Sequence, residues 1–200
     1  MTRGIRRVIE FLPLSPEGLG WGMIAIRLTT WVNAPVERCF RLATSVDFNA
    51  AAVASAVHCG QTGELCVGDT VDWSGWRMGL RLSHTSRIEE IRPYTYFREV
   101  MTSGGFRTYE QEHHFAPMDD GTRVRDEVRF AAPMGPLGVV LERMLLRHYV
   151  GRMLVERHRW LKQVAESGEW RKYLHSVPEG SETAPLPEQP IKIAKMQRFA

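Results

Sequence analysis

FRTYEQEHHFAPMDDGTRVRDEVRFA, Phe106–Ala131, is the stretch whose reading decides the fold. Side chains of an extended chain alternate between two faces. With Phe115 set toward a core, His113, Gln111 and Tyr109 share its face, and His114, Glu112 and Glu110 turn outward. MDDG, Met118–Gly121, has the composition of a tight turn. Closing the hairpin with Met118 opposite Gly121 sets Phe115 against Val124, His113 against Asp126, Gln111 against Val128 and Tyr109 against Phe130. Each partner falls on the apolar-rich parity of its own strand, so pattern and turn agree on one register.

Working outward, a hairpin through TSGGF places Glu99 near Gln111 and Phe97 near His113. The hairpin before it, through Arg92-Pro93, is expected to bring Ser86 near Glu99 and His84 near Met101. An inner face otherwise built of Leu80, Leu82, Ile88, Phe97, Tyr109, Val124 and Val128 then carries a polar island of His84, Ser86, Glu99, Gln111, His113 and Asp126. A buried carboxylate needs a partner, and a His113–Asp126 pair supplies one while fixing the imidazole's orientation. Two readings stand side by side: a satisfied network bracing the sheet, or a recognition site for the polar end of an apolar ligand.

Met23–Val32 reads as a strand, rich in β-branched and aromatic residues. Two short helices follow, one after Asn33 and Pro35 and one over Asp47–Val57, with Asn33 and Asp47 as expected caps. Strand candidates come next at His58–Thr62, Asp69–Trp76, Leu80–Ile91, Tyr94–Met101, Thr108–Pro117 and Arg123–Ala131. After Pro133 and Gly135 the apolar period becomes helical through Ser167, which predicts one long C-terminal helix. The order predicts an α+β fold: a curved antiparallel sheet of about six or seven strands wrapped around the long helix, with two short helices after the first strand. Residues 1–22 are expected to form an N-terminal extension containing a turn of helix, 23–168 the folded domain, and 169–200 a flexible Pro-, Glu- and Ser-rich extension.

Composition narrows the class. The hydrophobic share of 44% and charged share of 24% are those of an ordinary globular chain. A formal charge of +3, with Arg spread along the chain, gives no reason to expect a nucleic-acid partner. No apolar run approaches bilayer length, so stable membrane insertion is not expected. Three cysteines without a CxxC pair argue against a disulfide framework or zinc site and suit a reducing cytoplasm. His148 and His158, on the last helix, lack a third ligand in register, so no metal is expected. Trp73 and Trp76 are expected at the rim of the sheet, and Met78, Met101, Met134 and Met144 supply adaptable filling.

The string F-R-E-V-M, then GGF-R-T-Y-E-Q-E-H-H-F, GT-R-V-R-D-E-V-R-F and P-M-G resembles the superfamily that groups START domains, polyketide cyclases and birch-pollen-allergen-type proteins (SRPBCC, helix-grip fold). It is most similar to an uncharacterised bacterial subgroup, some members of which are labelled cell-division-inhibitor-like. Phe97, Tyr109, His113, Phe115, Asp126, Val128, Phe130, Pro133 and Gly135 match the subgroup pattern. Glu99 stands where Asp is usual, Gly104-Gly105 where Gly-Pro is usual, and Gln111 where a first His is usual. The resemblance covers about residues 23–165. It implies a ligand cavity between sheet and helix, and leaves the activity open, because one scaffold serves lipid carriers, hormone receptors, cyclases and hydroxylase domains. The Cys/His pattern of a Rieske domain, which the oxygenase branch requires, is missing from the sequence.

The expected function is binding of a small, mostly apolar molecule, without a cofactor. The expected ligand contacts are the six island residues, then Phe97, Met101, Tyr109 and Val128 on the sheet, and Met144, Leu145 and His148 on the helix. A first alternative is a polyketide cyclase or dehydratase using Glu99 and His113 as acid and base. A second is an interaction module with a vestigial cavity, and a homodimer is compatible with any of the three.

Overall fold

The computed structural model describes residues 7–11, 23–53, 63–77, 80–131 and 139–174; for 7–11, 53, 73–77, 80–82 and 139–146 it describes the backbone alone. The chain runs β1 (Arg7–Phe11), β2 (Met23–Val32), α1 (Val36–Thr44), α2 (Val46–Val53), β3 (Thr70–Arg77), β4 (Leu80–Arg92), β5 (Tyr96–Gly104), β6 (Thr108–Met118), β7 (Gly121–Ala131) and α3 (Val139–Glu166), then a 3₁₀ turn at Gly168–Lys172. The strands form one antiparallel sheet in the order β1-β2-β7-β6-β5-β4-β3. With α3 it makes the expected α+β helix-grip fold. Among the described residues, no helix is long and apolar enough to cross a membrane.

The β6–β7 hairpin has the register that alternation and turn dictate, with Met118 opposite Gly121, Phe115 opposite Val124 and His113 opposite Asp126. Gly121 takes φ 142° and approaches β2 so closely that a Cβ would lie 2.2 Å from the Val32 carbonyl oxygen. Only glycine meets both demands.

Four expectations are corrected. Arg7–Phe11 is a strand paired with β2, not a turn of helix; five residues with Val8 and Ile9 complete a sheet edge that would otherwise leave the backbone of β2 unpaired. The β4–β5 register is displaced: Ser86 lies opposite Met101 and His84 opposite Gly104, because the connection turns through Tyr94 at φ 62° and two irregularities interrupt the pairing along β4, at Thr85/Ser86 and Ile88/Glu90. Asn33 does not cap α1, whose N-cap is Pro35; the Asn33 backbone N–H instead donates to Glu166 Oε1 at 2.7 Å. The start of α2 is held by Ser45, whose hydroxyl accepts from the Phe48 amide, rather than by Asp47. The strand expected at His58–Thr62 falls outside the described residues, as does the tail from residue 175. Packing continues to Leu174, which is buried beside Phe48 and Leu161, past the boundary at residue 168 that composition suggests.

Two apolar clusters pack the helices onto the sheet. One joins α1, α2 and the end of α3 through Phe40, Phe48, Phe97, Phe115, Val124 and Leu161. The other joins Ile26, Leu28, Tyr109, Val128 and Phe130 to Val150 and Leu154 of α3. Burying one such side chain stabilises the fold by roughly 1.5–3 kcal/mol, so the helix is held mainly at these two levels.

Candidate functional site

Between the clusters lies a polar layer. Strand alternation turns Tyr109, Gln111 and His113 of β6 inward, and each is buried. The neighbouring strands add Glu99 and Phe97 from β5, Ser86 and the half-buried His84 from β4, and Asp126 from β7. From β2 comes Thr30, and from α3 come Arg157 and His158.

Asp126 is the hub. Its Oδ1 meets His113 Nδ1 at 2.9 Å, and its Oδ2 accepts from Gln111 Nε2 at 3.0 Å. His158 Nε2 lies 3.2 Å from the same Oδ2, and its Nδ1 contacts the Thr30 hydroxyl at 2.9 Å. Gln111 Oε1 in turn accepts from the Tyr109 hydroxyl at 2.7 Å. His113 Nε2 points toward Glu99 Oε1 at 3.5 Å, outside hydrogen-bond geometry, and the Arg157 guanidinium lies 3.9 Å from that oxygen. The Phe97 ring stacks on His113 with centroids 4.0 Å apart. His84 faces Tyr109, ring centroids 5.6 Å apart, and its backbone crosses Gly104, where a Cβ would come 2.5 Å from His84 Cβ.

Burial acts on every charge here, and the neighbours decide the outcome. Burial pushes the Asp126 carboxyl up, but His113 and His158 together hold it well below the usual carboxylate range. Burial pushes His113 down, and Asp126, aided by Glu99, more than reverses this, so its pKa is raised. Glu99 would also rise on burial, yet His113 and Arg157 bring it below its ordinary value. His84 has Glu99 in range but is lowered, because burial dominates. Tyr109 stays a neutral phenol, raised well above its ordinary value by burial and by Glu99. The layer is therefore a set of fixed carboxylates facing imidazoles, with a guanidinium at its edge.

The sheet residues expected at the site, His84, Ser86, Phe97, Glu99, Met101, Tyr109, Gln111, His113, Asp126 and Val128, share this inner face, although Val128 is committed to the apolar cluster. His148 is exposed on α3 and does not join them. Ten residues at 100° each leave it about 80° away from His158 around the helix, so the two do not share a face. The side chains of Met144 and Leu145 lie outside the described residues. Arg157, His158 and Thr30 were missed by the sequence reading. The signal for His158 was its spacing with Val150, Leu154 and Leu161, which together form the buried stripe of α3. Among the described residues, no group of three His, Cys, Asp or Glu side chains is arranged to hold a metal ion.

Comparison with known proteins agrees with this fold. Solved structures of the same fold include a protein of Thermus thermophilus, 19% identical, with TM-score 0.59 over 72% of this chain and 99% of that one. The Zhui aromatase/cyclase of Streptomyces sp. R1128 is 18% identical, with TM-score 0.61 over 76% and 97%. The di-domain ARO/CYC StfQ of the steffimycin biosynthetic pathway is 12% identical, with TM-score 0.62 over 72% of this chain and 51% of that one. No curated protein matches the sequence. The family described as polyketide cyclase / dehydrase and lipid transport matches residues 23–166, from the start of β2 to the end of α3. The chain belongs to that polyketide cyclase / dehydrase and lipid transport family.

Proposed function

We propose that this protein binds a small, mostly apolar molecule between the sheet and α3 and anchors its polar end on Ser86, Glu99 and Gln111. The observation that carries this reading is the fully buried Ser86 hydroxyl, which has no hydrogen-bond partner among the described residues, on the same face as the ionised Glu99. A purely structural network would satisfy such groups, since an unmet buried hydroxyl costs about 1–3 kcal/mol. The half-buried Met101 and Phe106 continue this face and suit an adaptable apolar wall. The exposed free thiol of Cys66 fits a reducing compartment, and the cytoplasm is the proposed location.

Displacement of a fluorescent apolar probe tests the reading. Met101→Trp fills the space beside Ser86 and should weaken probe binding by about tenfold or more, because the site must exclude a large ring. Equal binding by wild type and variant would remove this face as the site. Native mass spectrometry of the purified protein complements the test by looking for a co-purifying small molecule.

One observation favours a second reading, in which the protein is a cyclase or dehydratase. His113 is oriented through Nδ1 by a buried carboxylate and turns Nε2 toward Glu99, an arrangement suited to proton transfer. Against it, Phe97 stacks over the imidazole, which is only 1% exposed, so a substrate has little access to that nitrogen. Glu99→Gln separates the two. A carrier should show a modest change in affinity, whereas an enzyme should lose turnover far more than binding.

A further inference from the structure

The geometry points to the chemical class of the ligand's polar end: a hydroxyl, as in an apolar alcohol or phenol, held between the Glu99 carboxylate and the Ser86 hydroxyl. This assignment rests on the reading above that a ligand lies between sheet and α3. The contacts of Glu99 to His113, at 3.5 Å, and to Arg157, at 3.9 Å, both fall outside hydrogen-bond geometry, so neither occupies the carboxylate as a hydrogen-bond donor. Ser86 is fully buried, and its Oγ is likewise unmatched among the described residues. Ser86 lies opposite Met101 and Ile88 opposite Glu99, so Ser86 and Glu99 are diagonal neighbours on one face of adjacent strands. Diagonal neighbours stand roughly 7–8 Å apart along the sheet, a spacing that leaves room for one bridging oxygen between their side chains.

The two groups ask for different things. An ionised carboxylate only accepts, whereas a serine hydroxyl can donate. A ligand hydroxyl satisfies both at once, donating its O–H to the Glu99 carboxylate while accepting from Ser86. A ketone takes only the second bond and leaves the carboxylate unmet. A ligand carboxylate also takes only the second bond, and it sets a like charge beside Glu99 in a water-poor site.

The surroundings reinforce this choice. His84 on β4, Tyr109 and His113 on β6 and Asp126 on β7 face the site, together with Arg157 and His158 on α3. The two imidazoles nearest the hub are turned to Asp126, and the Arg157 guanidinium already faces Glu99.

Calorimetric titration of the full chain with matched pairs, octanol against octanoate and naphthol against naphthoate, tests the assignment at neutral pH. Each alcohol should bind about tenfold more tightly than its acid. Lowering the pH toward the ligand's own carboxyl pKa should strengthen acid binding and leave alcohol binding unchanged, because the protonated acid regains an O–H to donate. Glu99→Gln, which removes the charge and keeps the shape, should reduce the alcohol-to-acid preference to within about threefold. Ser86→Ala removes the other arm without a charge change and should weaken alcohol binding by about threefold to tenfold. It serves as the independent variant should circular dichroism show that Glu99→Gln does not fold. Acids binding as tightly as alcohols to wild type would overturn the hydroxyl assignment while leaving the ligand-binding reading intact. Failure of all four compounds to bind would overturn both.

Discussion

On the outer face of β5, β6 and β7, Arg98, Glu110, Glu112, Arg129 and Glu127 form a lattice of ion pairs with contacts from 2.9 to 3.5 Å. On the inner face of the same strands, Glu99, His113 and Asp126 stand at similar distances, 2.9 and 3.5 Å, but out of water. The outer Arg98 and Glu110 side chains keep 34% and 25% of their exposure, whereas His113 and Asp126 keep 1% and 2%. Contact distance therefore separates the two faces poorly, and solvent separates most of their members, the exception being Glu127, whose side chain at 8% is as enclosed as that of Glu99 at 7%. In water an ion pair gains little, because each charge was already well solvated. In the interior each charge depends on its partners, and removing one strands the others.

The largest expected effect follows directly. Asp126→Ala deprives His113 and Gln111 of their shared hydrogen-bond partner and His158 of the carboxylate 3.2 Å from its Nε2, and should destabilise the fold by about 3–5 kcal/mol. Urea denaturation reads this, and an unchanged midpoint with native circular dichroism would break the comparison at its strongest point. Next comes His158→Phe, which keeps the apolar contact of α3 but removes the tie to Asp126 and Thr30; a loss of about 1–3 kcal/mol is expected. A stabilised variant would mean that α3 is held by its apolar levels alone.

Stability should also depend on pH from both sides of the inner layer. Asp126 and Glu99 are lowered by folding, so their contribution is present above their ordinary values of 3.8 and 4.5 and is lost as pH falls through the folded values. His113 is raised, so its contribution is complete below its ordinary value of 6.5 and is lost as pH rises through the folded value. Maximum stability should lie between these limits, and in His113→Phe the decline above 6.5 should flatten. The same decline in wild type and variant would assign it to other groups. The smallest effect belongs outside: Glu110→Gln should change stability by about 0.2–1 kcal/mol, falling further in high salt. A loss as large as that of Asp126→Ala would erase the distinction between the faces.

What the sequence made legible follows the same physics. The β6–β7 register could be counted because MDDG closes the shortest kind of hairpin and the apolar parity of both strands agrees with it. The β4–β5 register could not, because two irregularities and a residue at positive φ shift the pairing by amounts that alternation does not encode. His84 and Ser86 stayed on the expected face since the parity survived even though the pairing moved. The helical half of the site was harder to see. Arg157 and His158 are adjacent in sequence, yet one reaches Glu99 and the other Asp126, and this depends on how α3 is rotated over the sheet. The apolar stripe through Val150, Leu154 and Leu161 encodes that rotation, while a count between two histidines does not. Five residues at Arg7–Phe11 are too few to separate a strand from a turn of helix before the edge they complete is known.

The claim that the inner polar layer anchors a ligand is tested most directly by mapping backbone amide shifts on adding an apolar alcohol. The account predicts that Ser86, Glu99, Met101 and Gln111 move together and saturably, with Glu110, Glu112 and Arg129 on the outer face moving least. Shifts concentrated on those outer residues, with Ser86 and Glu99 unmoved, would contradict it.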